Sequence, residues 1–250
     1  MNKPTYEKMP LEYMSAVEWL EGALSPKFSE VVDKALLDSP TLIANGSINT
    51  IISFLRDVKL MAGVTRHTGF ELLKLVDRFA KHRADASTSF NDWKKLHAAF
   101  LSLSPTNDHA FFFRVYYLCL CACAADEFDI DAVETHLAMS ESISSFMSPT
   151  MRWTTVAYLY YRCALATMKR PDRETKAVGY WGRAGQCLTK AYRSTRQDDT
   201  ATRKAVAEQI ILLRYEFPSV FSNRNIGDCY VDEVFDEAMQ DAGLAETAAA

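Results

Sequence analysis

The 250-residue sequence contains little glycine and proline, with nine Gly and eight Pro. A β sandwich or barrel needs many tight turns, so this scarcity argues against both architectures. Strand signals are scarce as well, because no alternating apolar run is bounded by Asn-Gly or Asp-Gly. The hydrophobic share of 48% and the charged share of 24% exclude bulk disorder and allow a sizeable core.

The sequence also lacks a long apolar run, an apolar N-terminal segment and a disulfide framework. Its most apolar stretch, residues 115–125, is far shorter than the roughly 20 residues of a bilayer span, so we expect no membrane span. Three of the six cysteines, Cys119, Cys121 and Cys123, lie in that stretch and predict buried, reduced thiols. We expect no metal, no cofactor and an intracellular location, cytoplasmic or nuclear.

Motifs that carry catalysis are missing too. The chain has no Gly-rich phosphate loop, no G-x-S-x-G elbow and no H-E-x-x-H zinc helix. Its five histidines are scattered, and no two of them stand four residues apart. The sequence therefore predicts a protein that is not an enzyme.

Helix signals are abundant and regularly placed. Ser-Pro pairs occur at residues 25–26, 39–40, 104–105 and 148–149. Serine caps free backbone N–H groups and proline suits the first helical position, so each pair predicts a helix start. Apolar residues recur at helical spacing between these pairs, which predicts an all-α fold. The predicted helices cover residues 11–24, 26–37, 47–62, 66–83, 89–103, 105–125, 130–147, 149–169, 172–197, 200–216 and 230–242.

An internal echo relates two of these helices. Residues 104–122 and 148–166 agree at seven of nineteen positions at an offset of 44 residues. The shared positions are Ser-Pro-Thr at each start, the tyrosine pairs 116–117 and 160–161, Cys119 with Cys163, and Ala122 with Ala166. A helix pair that recurs at such an interval is typical of stacked helical hairpins.

Over roughly residues 105–216 the sequence resembles the tetratricopeptide (TPR) family. Ala177, Trp181 and Ala184 have the small-aromatic-small spacing of the second helix of that family, and Tyr160 and Tyr161 supply aromatic residues in the first helix. The resemblance implies stacked antiparallel helical hairpins in the C-terminal half, a concave protein-binding face and no catalytic residues.

The polar residues 83–89 predict a division of the chain. An N-terminal helical segment would cover residues 1–83, and a helical-repeat segment would cover residues 89–243. The alternative is that both segments form one continuous domain.

Positive charge is concentrated in one region. Residues 162–204 hold eleven Lys and Arg and four acids, a balance of +7, so the rest of the chain carries −11. Lys169, Lys176, Arg183 and Lys190 recur every seven residues, which places them in one stripe on a helix. Lys169 belongs to the stripe only if that helix continues through Pro171. The stripe is either a solvated helix face or a surface that binds phosphates or an acidic segment of a partner.

These observations predict a non-catalytic protein–protein interaction scaffold or adaptor that binds another protein or an acidic peptide segment. The expected binding residues are Arg173, Lys176, Arg183, Lys190 and Arg193. The alternative is an RNA-binding or structural protein of a viral nucleoprotein or matrix kind that uses the same stripe. Base stacking would need aromatic side chains exposed beside the basic residues.

Overall fold

The computed structural model describes residues 68–105, 108–124, 130–142, 148–170, 174–216 and 231–244. These residues form eight α-helices and no strand, which confirms the predicted all-α class. The helices are α1 (Thr68–Ala84), α2 (Phe90–Ser102), α3 (Asp108–Ala124), α4 (Ile130–Ser142), α5 (Pro149–Met168), α6 (Glu174–Ser194), α7 (Thr200–Glu216) and α8 (Val231–Asp241). The helices predicted over residues 11–24, 26–37 and 47–62 lie outside the described residues.

Helix α5 begins as its sequence predicts. The Ser148 side chain accepts a hydrogen bond from the Met151 backbone N–H, and Pro149 occupies the first helical position. Helix α2 begins with a reciprocal capping box, in which Ser89 and Asp92 each bond the backbone of the other. Local capping chemistry therefore fixes both starts.

The other described Ser-Pro pair, residues 104–105, does not begin a helix at the proline. Helix α3 begins at Asp108, and residues 103–105 are non-helical. Arg114 of α3 donates from Nη1 to the Leu103 carbonyl at 2.8 Å. This bond satisfies the Leu103 backbone acceptor from a residue of α3, which favours the non-helical conformation of residues 103–105.

The described helices divide into two compact units, α1–α4 and α5–α8. The predicted break at residues 83–89 is the connection between α1 and α2 inside the first unit. An aromatic cluster forms part of the core of that unit. The Tyr117 ring stacks on Phe100 at 5.5 Å and meets the edge of Phe79 at 5.2 Å between ring centroids. Offset and edge contacts of this kind add to the free energy of apolar burial.

Helix α3 is apolar almost all round and is largely buried. Cys119 and Cys121 are buried, Cys123 is half-buried, and all three are free thiols. Burial raises the pKa of the Cys121 thiol, which keeps it protonated at neutral pH. The prediction of buried, reduced cysteines is thus confirmed for Cys119 and Cys121. None of the described helices combines the length and apolarity of a bilayer span.

In the second unit, α5 and α6 form an antiparallel hairpin. The Thr150 and Thr195 hydroxyls, at the start of α5 and just past the end of α6, are 3.2 Å apart. Further along the hairpin, Tyr160 of α5 faces Tyr180 of α6 at 6.2 Å between ring centroids. Helix α7 packs on α6, and helix α8 packs on α7 and also contacts α6.

A polar cluster joins α6, α7 and α8, and we call Tyr192, Arg203 and Asp241 the staple. Arg203 donates from Nε to an Asp241 carboxylate oxygen at 2.5 Å and from Nη2 to the Tyr192 hydroxyl at 2.8 Å. The Tyr192 hydroxyl in turn donates to Asp241. Burial and this bond to Asp241 raise the pKa of Tyr192, so it remains a donor. The staple satisfies a guanidinium whose side chain is only 16% exposed.

Replacement of Asp241 by Asn should lower the free energy of unfolding by about 1–2 kcal/mol, because it weakens two charge-assisted hydrogen bonds, one from half-buried Arg203 and one from buried Tyr192. The matched control is Asp236→Asn on the exposed side of α8, with an expected loss below about 0.5 kcal/mol. Urea unfolding measures both changes. Equal effects at the two positions would show that the staple adds nothing to stability.

The first unit contains a buried histidine without hydrogen-bond partners. His136 of α4 is 8% exposed, and both of its ring nitrogens lack a partner among the described residues. The His97 ring of α2 lies 5.7 Å away between centroids. Burial, followed by the proximity of His97 and Arg114, lowers the pKa of His136 from 6.5 to about 4. The folded unit therefore keeps this imidazole neutral.

Stability should fall as the pH drops from 6.5 towards 4, because the unfolded chain binds a proton that folded His136 rejects. Between pH 7 and pH 5 the loss from this group is about 2 kcal/mol. His136→Leu should remove that part of the pH dependence. Urea unfolding at the two pH values tests this, and an unchanged dependence in the variant would exclude His136 as its source.

Candidate functional site

Helix α6 is amphipathic, because its apolar and basic residues follow different helical faces. Trp181, Cys187 and Leu188 are buried, as the sequence predicts, and Val178 is half-buried. The residues of the TPR-like spacing, Ala177, Trp181 and Ala184, are buried as well. Small side chains at that spacing let a neighbouring helix approach closely, so α6 presents this side to the core.

Four of the five predicted binding residues lie on the opposite side of α6. We call Lys176, Arg183, Lys190 and Arg193 the basic face. The first of these is half-buried and the other three are exposed. At 1.5 Å per residue, the basic face extends about 21 Å from Lys176 to Lys190 along the helix. The fifth predicted residue, Arg173, lies outside the described residues.

Lys169 does not extend the basic face. Helix α5 ends at Met168 with Lys169 as its C-cap, and α6 begins at Glu174. Pro171 lies between the two helices, and a proline there would remove a helical hydrogen bond and clash with the preceding turn. The seven-residue recurrence in the sequence therefore continues across a helix boundary, and Lys169 belongs to a different helix.

Within α6 itself, no acidic side chain interrupts the basic face. The only acidic residue of α6 is Glu174, its first residue. The Arg183 guanidinium donates from Nη1 to the neutral Gln186 amide oxygen at 3.1 Å, which leaves its charge uncompensated. Clustered charges of one sign create a positive local potential even on a protein whose net charge is negative.

An aromatic ring adjoins the basic face, a contact that the sequence pattern does not predict. The Lys190 ammonium lies 4.3 Å from the centre of the Trp153 ring of α5. The guanidinium of the neighbouring Arg152 lies 4.6 Å from the same ring. Trp153 is half-buried, so part of its surface remains accessible. A partly accessible tryptophan beside cations can contact a ligand through its ring edge or its apolar surface.

Two other cations of the region 162–204 are neutralised within the chain. Arg203 belongs to the staple and also approaches Glu237 at 3.4 Å. Arg196 forms a two-bond ion pair with Asp198, each bond 3.1 Å long. Part of the excess positive charge that the sequence predicts for this region, the part on Arg196 and Arg203, is therefore paired with acidic residues of the chain.

Glycine makes part of the basic face flat. Gly179 is exposed and lies three residues after Lys176 and four before Arg183, which places it between them on the same side. A Cβ atom built at Gly179 or at Gly182 would meet nothing within 4 Å. Neither position needs glycine for its own packing, although glycine in a helix costs up to about 1 kcal/mol relative to alanine.

Comparison with models of protein families, with curated proteins and with solved structures finds no match to this chain.

Alanine at Gly179 should raise the free energy of unfolding by about 0.5–1 kcal/mol, because it favours the helix and meets no neighbour. The matched control is Gly243→Ala, which should destabilise, since Gly243 has a φ of 73° just past α8. Thermal or urea unfolding reports both signs. Destabilisation by Gly179→Ala would mean that another surface packs on the basic face.

Proposed function

We propose that the chain is a non-catalytic interaction scaffold of TPR-like helical hairpins, whose basic face binds an acidic segment of a protein. The observation that carries the proposal is the separation of charge on α6. One side of the helix is buried in the core, whereas the other carries Arg183, Lys190 and Arg193 exposed and without an interposed acid. Such a face suits a rod-like acidic partner that follows the helix.

The side chains of the basic face are suited to binding a partner and not to catalysis. Lysine and arginine side chains donate hydrogen bonds and carry charge, but Arg183 and Lys190 have no carboxylate, imidazole or thiol among their contacts. Each exposed ion pair contributes at most about 1 kcal/mol, so several must form together. Trp153 adds apolar area at one end, and tryptophan and arginine are the residues most enriched at energetic hot spots.

The TPR-like part of the proposal has structural support of a general kind. The α5–α6 hairpin is antiparallel, and the small-aromatic-small residues of α6 are buried in it. The echoed positions are also alike, since Cys119 of α3 and Cys163 of α5 are both fully buried.

RNA binding is the second candidate, and Trp153 is the observation that favours it. A half-buried tryptophan beside Lys190 supplies the aromatic surface that base stacking needs next to cations. Arg152 and Lys190 would then contact phosphates on either side of the stacked base. The basic face serves either ligand, so salt dependence and probe chemistry must separate the two.

The test uses fluorescence anisotropy with two labelled probes, an amphipathic acidic helical peptide and a single-stranded RNA. The variant carries Lys176→Glu, Arg183→Glu and Lys190→Glu. The control carries Lys94→Glu, Lys95→Glu and Lys204→Glu, which changes three exposed lysines and shifts the net charge equally. We expect the peptide to bind wild type and control, with at least tenfold weaker binding to the variant.

The two probes separate the candidates. RNA binding that is submicromolar, falls steeply with salt and is lost in the variant, without peptide binding, would replace the scaffold by the RNA-binding protein. Failure of both probes at low salt would contradict both functions and leave the basic face as a solvated helix surface.

A further inference from the structure

Two cysteines of α3 form a pair on one side of the helix. Cys119 and Cys123 are four residues apart, which places them one turn apart on the same face. Their sulfur atoms lie within 4.8 Å of each other, and neither cysteine belongs to a disulfide bond. Cys121, which stands between them in the sequence, lies on a different face. The first unit therefore holds two neighbouring thiols that take no part in the basic face or the staple.

The surroundings of this pair limit the ligands that it can bind. Cys119 is fully buried and Cys123 is half-buried, so the pair extends from the core towards solvent. Among the described residues, no histidine nitrogen or carboxylate oxygen joins the two sulfur atoms. Magnesium and calcium require oxygen ligands, and structural zinc is almost always bound by four ligands. The pair supplies neither of these ligand sets.

The distance between the sulfur atoms suits a soft ion placed between them. A metal–thiolate bond is about 2.3 Å long, so one ion on the line between two sulfur atoms bonds both when they are about 4.6 Å apart. A separation within 4.8 Å meets this requirement with a small rotation of the side chains at most. Soft thiolate ligands select Cu(I), an ion that is stable with only two sulfur ligands.

We propose that Cys119 and Cys123 bind one Cu(I) ion as a pair of thiolates. Each thiol loses its proton and each sulfur donates an electron pair to the ion, so binding releases two protons and changes no oxidation state. The complex carries one negative charge, and the half-buried position of Cys123 keeps that charge near water. The site is independent of the basic face, so its failure would leave the proposed function unchanged.

Competition for Cu(I) tests the proposal. The reduced full chain is titrated without oxygen against the Cu(I) chelator bathocuproine disulfonate, and wild type should remove one equivalent of the ion. Cys119→Ala and Cys123→Ala should each lower the affinity more than about 100-fold, since even the loss of an outer-shell partner of a metal costs up to that factor. The matched control is Cys121→Ala, which removes an equally buried cysteine of the same helix and should bind like wild type.

Two further measurements report on the ligands themselves. Wild type should release two protons for each bound ion in weakly buffered solution, so its affinity should rise with pH. Copper X-ray absorption should show sulfur as the only ligand. Circular dichroism checks that each variant remains helical. Cys123 is half-buried, so its alanine variant tests the site with little disturbance of the core.

Any one of three results would overturn the inference. The first is a wild-type chain that removes no Cu(I) from the chelator. The second is a helical Cys123→Ala variant that binds the ion as tightly as wild type. The third is a loss of affinity in Cys121→Ala as large as in the other two variants, because binding would then follow the number of thiols and not their arrangement.

Discussion

Burial of one side of α6 against α5 is the constraint on which the rest of the second unit depends. Ala177 and Ala184 have no exposed surface and flank Trp181, so this side cannot rotate outward without exposing a large apolar area. Two contacts hold the antiparallel α5–α6 hairpin together. The Thr150–Thr195 pair lies at one end of it, and the Tyr160–Tyr180 contact lies further along. The cations of α6 therefore face solvent because the core fixes the other side, and their common orientation follows from packing.

The staple pairs a cation that would otherwise add to the positive surface near the end of α6. Arg203 would add a further positive charge near the end of α6, but Asp241 and Tyr192 take up its donors. A guanidinium with this little exposure needs such partners, because a buried charge without them costs several kcal/mol. The same contact fixes α8 on α7 and leaves Asp236 on the outer side. One half-buried interaction thus removes a cation from the surface and orients α8.

The features that could be predicted from the sequence are those that depend on interactions between neighbouring residues. Capping and periodicity are properties of a few neighbouring residues, so the start of α5 and the limits of α6 and α7 follow within a few residues. The common face of Lys176, Arg183 and Lys190 follows from helical geometry alone. Trp153 beside Lys190 and Asp241 beside Arg203 join residues almost forty positions apart. Such pairs depend on how helices pack, which periodicity does not specify.

His136 illustrates the same limit in the first unit. A histidine in a helical pattern is as compatible with the surface as with the core, and only packing against α2 brings it to His97. The predicted start of α3 at residue 105 differs from the structure for a related reason. Capping preferences describe isolated helix ends, whereas the Leu103 carbonyl is bonded by Arg114, a side chain eleven residues further on.

The spacing of the basic face explains how the fold tolerates it and what length of ligand it suits. Successive cations at seven-residue intervals are about 10 Å apart along the helix, close to the screening length at physiological salt, so they repel one another weakly. A ligand must present negative charge over about 21 Å to meet Lys176, Arg183 and Lys190 together.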